Sequence, residues 1–371
     1  MNASDLTALQ GFFDPAAAAG SGGTSAAYRV HCKNGRVFAL LPADPRSQSR
    51  LADLLPAQSL VARIYRQAVL WTGRCGLGFP RASISLAFAA EAPLVRMIRE
   101  AGGSLHPPVL LPGNPASKAP RLIIICCDDR GHRRAVIKAG VTPSSRDLVR
   151  REYDFLANAS RHGGSDLPQV LDFRDVPEAT AFAMEFVGGD SPGWPPPPAL
   201  EGMLSGWLDR DRTLTLGETS PWRTLVSALT VSGLTVPGEL ADLAEKRIHP
   251  CRFHGDFAPW NVRAASNGNW RAIDWERGES DGLPGWDWLH YCLQPAILVK
   301  RWPAERVRTH AEQVIAGAPF LRYLAQAGAG GPPDAFPRAL LRAYLLYNWH
   351  VLQPTERTSV QEQLAMTAAD R

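Results

Sequence analysis

The stretch Cys251–Gly278, "CRFHGDFAPWNVRAASNGNWRAIDWERG", decides how the rest of the chain is read. Two short runs flank Asn267-Gly268, a dipeptide suited to a tight hairpin because both central positions of such a turn need φ > 0. With that dipeptide as a two-residue turn, Asn261 falls directly across from Asp274, and Val262 across from Ile273. Directly opposed residues of an antiparallel pair point to the same face. Asn261 and Asp274 therefore offer hard oxygen donors together, a set suited to Mg²⁺, which takes few protein ligands and leaves the rest to water and phosphate. Asp256, with Pro259 restricting the path between it and Asn261, reaches the same cavity from the incoming loop. Either Asn or Asp alone near a strand end usually serves a turn; it is the joint arrangement that marks a site. His254, in a tight apolar context, reads as a hydrogen-bonded core residue rather than a base.

The same residues carry a resemblance. "HGDFAPWN" keeps the Asp-x-x-x-x-Asn spacing of the protein-kinase catalytic loop, and the Asp of "IDW" stands where kinases place their second metal aspartate. With Gly255 after the histidine and "IDWE" downstream, the segment resembles the aminoglycoside phosphotransferase and choline kinase superfamily, and the pattern over residues 106–352 agrees with it. The resemblance implies an α+β, bilobal protein-kinase-like fold, with a small antiparallel-sheet lobe and a larger, mainly helical lobe. It implies that Asp256 is the catalytic aspartate and that Asn261 and Asp274 hold Mg²⁺ on the phosphates of ATP. It further implies that Lys138 of "AVIKAG" touches phosphate with Glu152 as its ion-pair partner, and that the backbone from Glu185 to Val187 in "FAMEFVGG" reads the adenine edge. Asp287 of "GWDWLHY" is implied as a structural brace for the catalytic loop. One departure stands out. Where a kinase has its Gly-rich phosphate loop, this chain reads "LLPGNPASKAP", with Gly113 as its single glycine; Ser117, Lys118 or backbone N–H groups are the substitutes available.

Working outward, "RLIIICC" and "AVIKAG" read as strands, Ser144 or Ser145 as the cap of a helix through "RDLVRREYDFLANAS", and "LPQVLDF" and "ATAFAMEFVGG" as two more strands. The Gly/Pro pile-up "GGDSPGWPPPPAL" is a linker, after which helical apolar spacing dominates. Four segments follow. Residues 1–27 are an Ala/Gly/Ser-rich leader, expected to be disordered. Residues 28–105 are an N-terminal α+β extension whose role the sequence does not state, containing a hairpin at Asn34-Gly35. Residues 106–189 are a kinase-like N-lobe, and residues 190–371 a helical C-lobe carrying the catalytic loop and the metal hairpin.

Composition narrows the function classes. The chain has 371 residues, 45% of them apolar, which furnishes a full-sized core. Its net charge is +4 with no sustained basic run, which argues against a dedicated nucleic-acid binder. The six cysteines show no C-x-x-C spacing, and Cys126-Cys127 cannot direct both thiols to one metal, because neighbours in a strand point to opposite faces. A reducing, cytoplasmic setting is expected. No run of apolar residues is long enough to span a membrane and no secretory signal is expected at the start.

The leading expectation is an ATP- and Mg²⁺-dependent kinase that phosphorylates a hydroxyl of a small molecule: a sugar, an aminoglycoside-like compound or an amino alcohol. A pseudokinase-like nucleotide-binding or regulatory module is the alternative, motivated by the poor phosphate loop, and a metal-dependent phosphoesterase is a third reading. Trp286, Trp288 and Tyr291 offer either a cage for a cationic amine or ordinary core packing.

Overall fold

The structure is a computed structural model and describes residues 13, 24–33, 36–54, 60–77, 82–102, 106–113, 119, 121–161, 164, 166–177, 179–265, 268–329, 335–351 and 358–369. The chain divides into two compact units, residues 1–157 with 168–186 and residues 158–167 with 187–371. It is an α+β protein: the first unit is built on a sheet, the second is mainly helical.

The sheet of the first unit has eight strands, all neighbours antiparallel: β1 (Thr24–Lys33), β2 (Arg36–Pro42), β3 (Ser83–Phe88), β4 (Val109–Pro112), β5 (Leu122–Cys127), β6 (Arg133–Gly140), β7 (Val170–Val176) and β8 (Ala179–Glu185), in the order β3-β1-β2-β4-β5-β6-β8-β7. Period-two alternation sends consecutive side chains to opposite faces, and both faces are covered. Leu40, Ile124, Ile137 and Ala183 join Tyr28 and Leu86 in one core cluster, against α3 (Pro93–Gly102) with Met97 and Ile98. Ala39, Leu41, Ile125 and Val109 form a second cluster with Leu51 of α1 (Pro45–Leu51) and Val69 of α2 (Leu60–Arg74).

This arrangement revises the expected segments. Strand β1 begins at Thr24, inside the stretch expected to be disordered, because Thr24–Arg29 pair backbone to backbone with Ser83–Phe88; small side chains do not prevent a strand whose ladder bonds are supplied by a neighbour. Of the rest of that leader, only Phe13 is described, and it is fully buried. The extension is not a separate body either. Leu40 of β2 pairs with Leu110 of β4, so residues on both sides of position 105 belong to one sheet. The expected hairpin at Asn34-Gly35 is present in its flanks, with Lys33 paired to Arg36.

Helix α4 (Pro143–Ser160) follows β6 at close range: a Cβ on Gly140 would lie 2.5 Å from the backbone of Ser145. Its cap is Thr142 rather than Ser144 or Ser145. Ser145 N–H donates to Thr142 Oγ1 at 3.2 Å and Thr142 N–H donates to Ser145 Oγ at 3.0 Å, a reciprocal pair that satisfies two backbone donors, with Pro143 at the first helical position. Arg146 then donates to the carbonyls of Pro177 (2.7 Å) and Val176 (2.8 Å), fixing α4 to the β7–β8 turn.

In the second unit, α5 (Ala199–Ser205), β9 (Leu214–Thr215), α6 (Ser220–Val231), α7 (Gly238–Ala244) and β10 (Arg247–Ile248) precede the loop that carries Asp256. α8 (Trp286–Gln294), α9 (Ala304–Ala316), α10 (Ala318–Gln326), α11 (Ala335–Val351) and α12 (Ser359–Ala369) follow it. Every residue of α8 is buried. Trp288 stacks on Tyr323 at 5.5 Å, and Trp286 meets Tyr347 at 4.7 Å. Trp286, Trp288 and Tyr291 are thus core, and the amine-cage alternative lapses. Among the described residues no helix is long and apolar enough to cross a membrane.

Candidate active site

The second unit positions Asp256 through three short connections. Strand β11 (Cys251–Phe253) pairs with β14 (Glu279–Gly282), and the approach is so close that a Cβ on Gly282 would sit 2.2 Å from Phe253 Cβ. The chain then turns at Gly255, whose φ of +75° and proximity to Arg277 leave no room for a side chain. Asp287, at the start of α8, accepts the N–H groups of His254 (2.7 Å) and Gly255 (3.1 Å) on its two carboxylate oxygens. Burial drives the Asp287 carboxyl up to about 7, against the two backbone bonds that favour its ionised form, while the charge of Asp256 adds to the rise.

His254 is fully buried and has both ring nitrogens engaged: Nδ1 accepts from the Asp256 N–H at 3.2 Å, and Nε2 donates to the Ile273 carbonyl at 2.8 Å. It ties the loop before Asp256 to the strand before Asp274. Burial lowers its pKa, in spite of the nearby Asp256 and Asp274 charges, so the ring stays neutral.

Asp256 itself is held at both oxygens. Asn261, in the 3₁₀ turn Pro259–Asn261, donates its Nδ2 to Asp256 Oδ2 at 3.0 Å and to the Asp256 carbonyl at 2.8 Å. His290 of α8 meets Oδ1 through Nε2 at 3.0 Å, and Tyr344 of α11 lies 3.2 Å from His290 Nδ1. An ionised carboxylate only accepts, so Nε2 carries the proton of that bond. Burial opposes ionisation of Asp256, but the hydrogen bond and field of His290, with Arg277 nearby, hold it below the usual carboxylate range. Its side chain keeps 36% exposure, so the carboxylate remains reachable.

The hairpin after this loop has a different register from the one inferred from Asn267-Gly268. Strands β12 (Val262–Ala264) and β13 (Trp270–Ala272) pair Val262 with Ala272 and Ala264 with Trp270, one residue away from the expected pairing. The connection is longer by one residue: Gly268 N–H bonds to the Ala265 carbonyl at 2.9 Å, Ala265 N–H bonds to the Asn269 carbonyl at 2.9 Å, and Gly268 sits at φ +84°. That is a three-residue loop ending in a left-handed glycine; Asn267 lies outside the described residues. Asn261 is consequently opposite Ile273, whose N–H donates to the Asn261 carbonyl at 2.8 Å. A one-residue slip would normally turn Asp274 to the other face. Instead the strand ends, and Asp274 takes φ +70°, one of two non-glycine residues with positive φ among those described. Asp274 is near enough to His254 for its charge to be felt there.

Asn261 and Asp274 give an amide oxygen and a carboxylate on segments joined by His254. Asn261 spends its Nδ2 on Asp256, which directs Oδ1 elsewhere. Hard oxygens of this kind fit Mg²⁺. Among the described residues no group of three or more His, Cys, Asp or Glu is arranged so that it could hold a metal ion together, as the donor set of a zinc or two-metal hydrolase is.

In the first unit, Lys138 and Glu152 meet as a buried pair, with Nζ 2.6 Å from Oε1 and 2.7 Å from Oε2. Arg121 stands 4.0 Å from the same carboxylate. Glu185 ends β8; its Oε1 accepts the Gln169 N–H at 2.7 Å, so its side chain is committed to the neighbouring strand. Val187 is the first residue of the second unit after the sheet and is buried. Ser117 and Lys118 lie outside the described residues.

His290 was not among the residues singled out by sequence. It lies three positions after Asp287 on an all-buried helix, where a histidine reads as packing; only the i, i+3 relation to a residue already placed beneath the loop hints that both face it.

No known family model matches the chain, and no curated protein sequence matches it. Among solved structures, the chain is similar to aminoglycoside phosphotransferase APH(3'')-Id from Streptomyces rimosus, at 14% identity over 69% of this chain and 97% of that one, with a TM-score of 0.42. It is similar to an aminoglycoside phosphotransferase, APH(2'')-IIIa, solved with GDP and kanamycin, at 12% identity over 75% and 97%, TM-score 0.43. It is also similar to macrolide 2'-phosphotransferase MphH from Brachybacterium faecium, at 13% identity over 70% and 92%, TM-score 0.38. At these values the overlap assigns neither activity nor substrate to this chain.

Proposed function

We propose that the chain is a cytoplasmic, Mg²⁺- and ATP-dependent phosphotransferase of the protein-kinase-like type, acting on a hydroxyl of a small molecule. The observation that carries this reading is the Asp256 carboxylate, ionised, accessible and held at both oxygens by Asn261 and His290. A carboxylate fixed in this way orients an attacking hydroxyl and receives its proton as the oxygen bonds to the γ-phosphorus and the bond to the leaving ADP breaks. Its lowered pKa suits orientation more than proton storage.

Asn261 and Asp274 would hold Mg²⁺, which when bound neutralises phosphate charge. Lys138, kept in place by Glu152, would meet the phosphates of ATP, and the backbone from Glu185 to Val187 would read the adenine edge. Ser117 is proposed as a further phosphate contact. Phosphoryl transfer asks for this kind of alignment and charge compensation, and little covalent chemistry from the protein. Sugars, aminoglycoside-like compounds and amino alcohols are the acceptor classes to test.

The test is an ADP-release screen of such hydroxyl compounds with Mg-ATP, beside calorimetry of Mg-ATP binding. Turnover abolished in Asp256→Asn, and Mg²⁺-dependent nucleotide binding lost in Asp274→Ala, are the expected results. Absence of nucleotide binding by the wild-type chain refutes the proposal. Binding without turnover on any acceptor selects the regulatory, pseudokinase-like alternative.

A further inference from the structure

Helix α2 has two apolar faces, and the sheet uses only one. Val69 is fully buried against Ala39 and Leu41, and Tyr65 bonds His31 Nδ1 at 2.7 Å on the same side. Val61, Ile64 and Trp71 recur at i, i+3 and i+10, a spacing that lines one side of a helix. Yet they are 77%, 60% and 66% exposed, and Leu77 just beyond the helix is 74% exposed. Four large apolar side chains bare on one short stretch exceed the scattered exposure of an ordinary surface and mark a contact site.

The charges beside that stripe have one sign. Residues 54–90 contain four arginines and no aspartate or glutamate. Arg63 and Arg74 are exposed and Arg66 half-buried on α2, and none of the three makes a side-chain hydrogen bond or ion pair among the described residues. Guanidinium groups with no such partner among the described residues, flanking an exposed Trp and Ile, match the boundary between anionic headgroups and acyl chains: the rings and branched chains enter, and the arginine stems lie along them with their charges in the headgroup layer. A second copy docking through the same face would set arginine against arginine, which disfavours a symmetric pair. The face is also a helix cylinder rather than a groove, a shape suited to lying on a bilayer.

We infer that α2 is a peripheral membrane-docking surface, which seats the protein on anionic lipid through Val61, Ile64, Trp71 and Leu77 with Arg63, Arg66 and Arg74. The inference is independent of the catalytic reading above.

Flotation of the full chain with phosphatidylcholine vesicles, with and without phosphatidylglycerol, tests it. Wild type rises with the phosphatidylglycerol vesicles, stays behind with phosphatidylcholine alone, and is released as salt screens the arginines. Ile64→Glu with Trp71→Glu lowers vesicle affinity on the order of tenfold or more, and Arg63→Ala or Arg74→Ala lowers it about fivefold each. Melting temperature stays at the wild-type value in all of them, because these side chains are exposed. Wild-type chain that ignores anionic vesicles overturns the inference. So does a double variant that floats like wild type, equal binding to neutral vesicles, or light scattering that shows a dimer which Trp71→Glu dissolves.

Discussion

Replacing His290 by Phe removes one of the two anchors on Asp256 while nearly conserving buried volume. The bond lost is the 3.0 Å contact from Nε2 to an ionised oxygen, and hydrogen bonds to charged groups contribute about 1.5–3 kcal/mol. If the whole of that contribution is felt in the transition state, kcat falls about 10- to 150-fold. KM for ATP should not change, because the role proposed for Asp256 is toward the acceptor hydroxyl rather than the nucleotide. His290→Gln can again place an N–H near Oδ1, and should recover to within about fivefold of wild type. His290→Ala loses the same bond and also opens a void, costing roughly 2–4 kcal/mol of stability, so it serves as the stability control and not as the catalytic test. The assay is steady-state ADP release with Mg-ATP, using the best acceptor from the screen or water if none is found, with each variant's melting curve recorded. A His290→Phe enzyme that turns over within about twofold of wild type, alongside an inert Asp256→Asn, refutes the view that the anchoring matters.

Three other outcomes follow from the geometry. Lys138→Met takes from the buried Glu152 the ammonium that meets both of its oxygens and should cost roughly 3–5 kcal/mol in urea unfolding, with a smaller loss when Glu152→Leu is added. Gly282→Ala drives a Cβ to 2.2 Å from Phe253 Cβ and should cost about 1–3 kcal/mol or more, whereas Gly268→Ala meets no atom within 4 Å and should cost only about 1 kcal/mol of left-handed strain; thermal melts compare the two. For Asp287, pushed up to about 7 in the fold, the native state binds the extra proton from the ordinary carboxylate range up to that pH, so this group makes stability fall as pH rises. His254, depressed in the fold, acts in the opposite sense below its ordinary pKa. Asp287→Asn should therefore remove a negative contribution of at most about 1.4 kcal/mol per pH unit from the stability profile between the two limits, read by denaturant titrations at several pH values.

The parts of the fold written into side-chain patterns were readable. β5, β6 and α4 follow from "RLIIICC", "AVIKAG" and the Leu148–Leu156 stripe, and the loop spacing from Asp256 to Asn261 was fixed by the sequence itself. The hairpin register was not readable: Asn267-Gly268 satisfies both a two-residue turn and a three-residue loop, and only the backbone at Gly268 decides between them. Because the register moved, the relation of Asn261 to Asp274 rests on a left-handed Asp274 that no periodicity announces. Thr142 took the cap from Ser144 and Ser145 because Pro143 fills the first helical position, a local signal that was available. Thr24 to Ala27 entered a strand through backbone pairing with β3, with Ala26 as the one side chain packed on the core, and His290 gained its place from a tertiary contact between α8 and the Asp256 loop.

The order β3-β1-β2-β4 has a practical meaning for anyone shortening this protein. Residues 106–371 contain every proposed catalytic group, and cutting there looks harmless on the sequence. Such a cut would strip three strands from the side of β4 and bare a line of unpaired N–H and C=O groups along Val109–Pro112, flanked by the apolar faces of Leu110, Ile124 and Ile125. An unguarded edge of that kind recruits other chains. The N-terminal hundred residues therefore act as the sheet's selvage, and a trimmed version should come out of cells as inclusion bodies unless a replacement strand is grafted in their place.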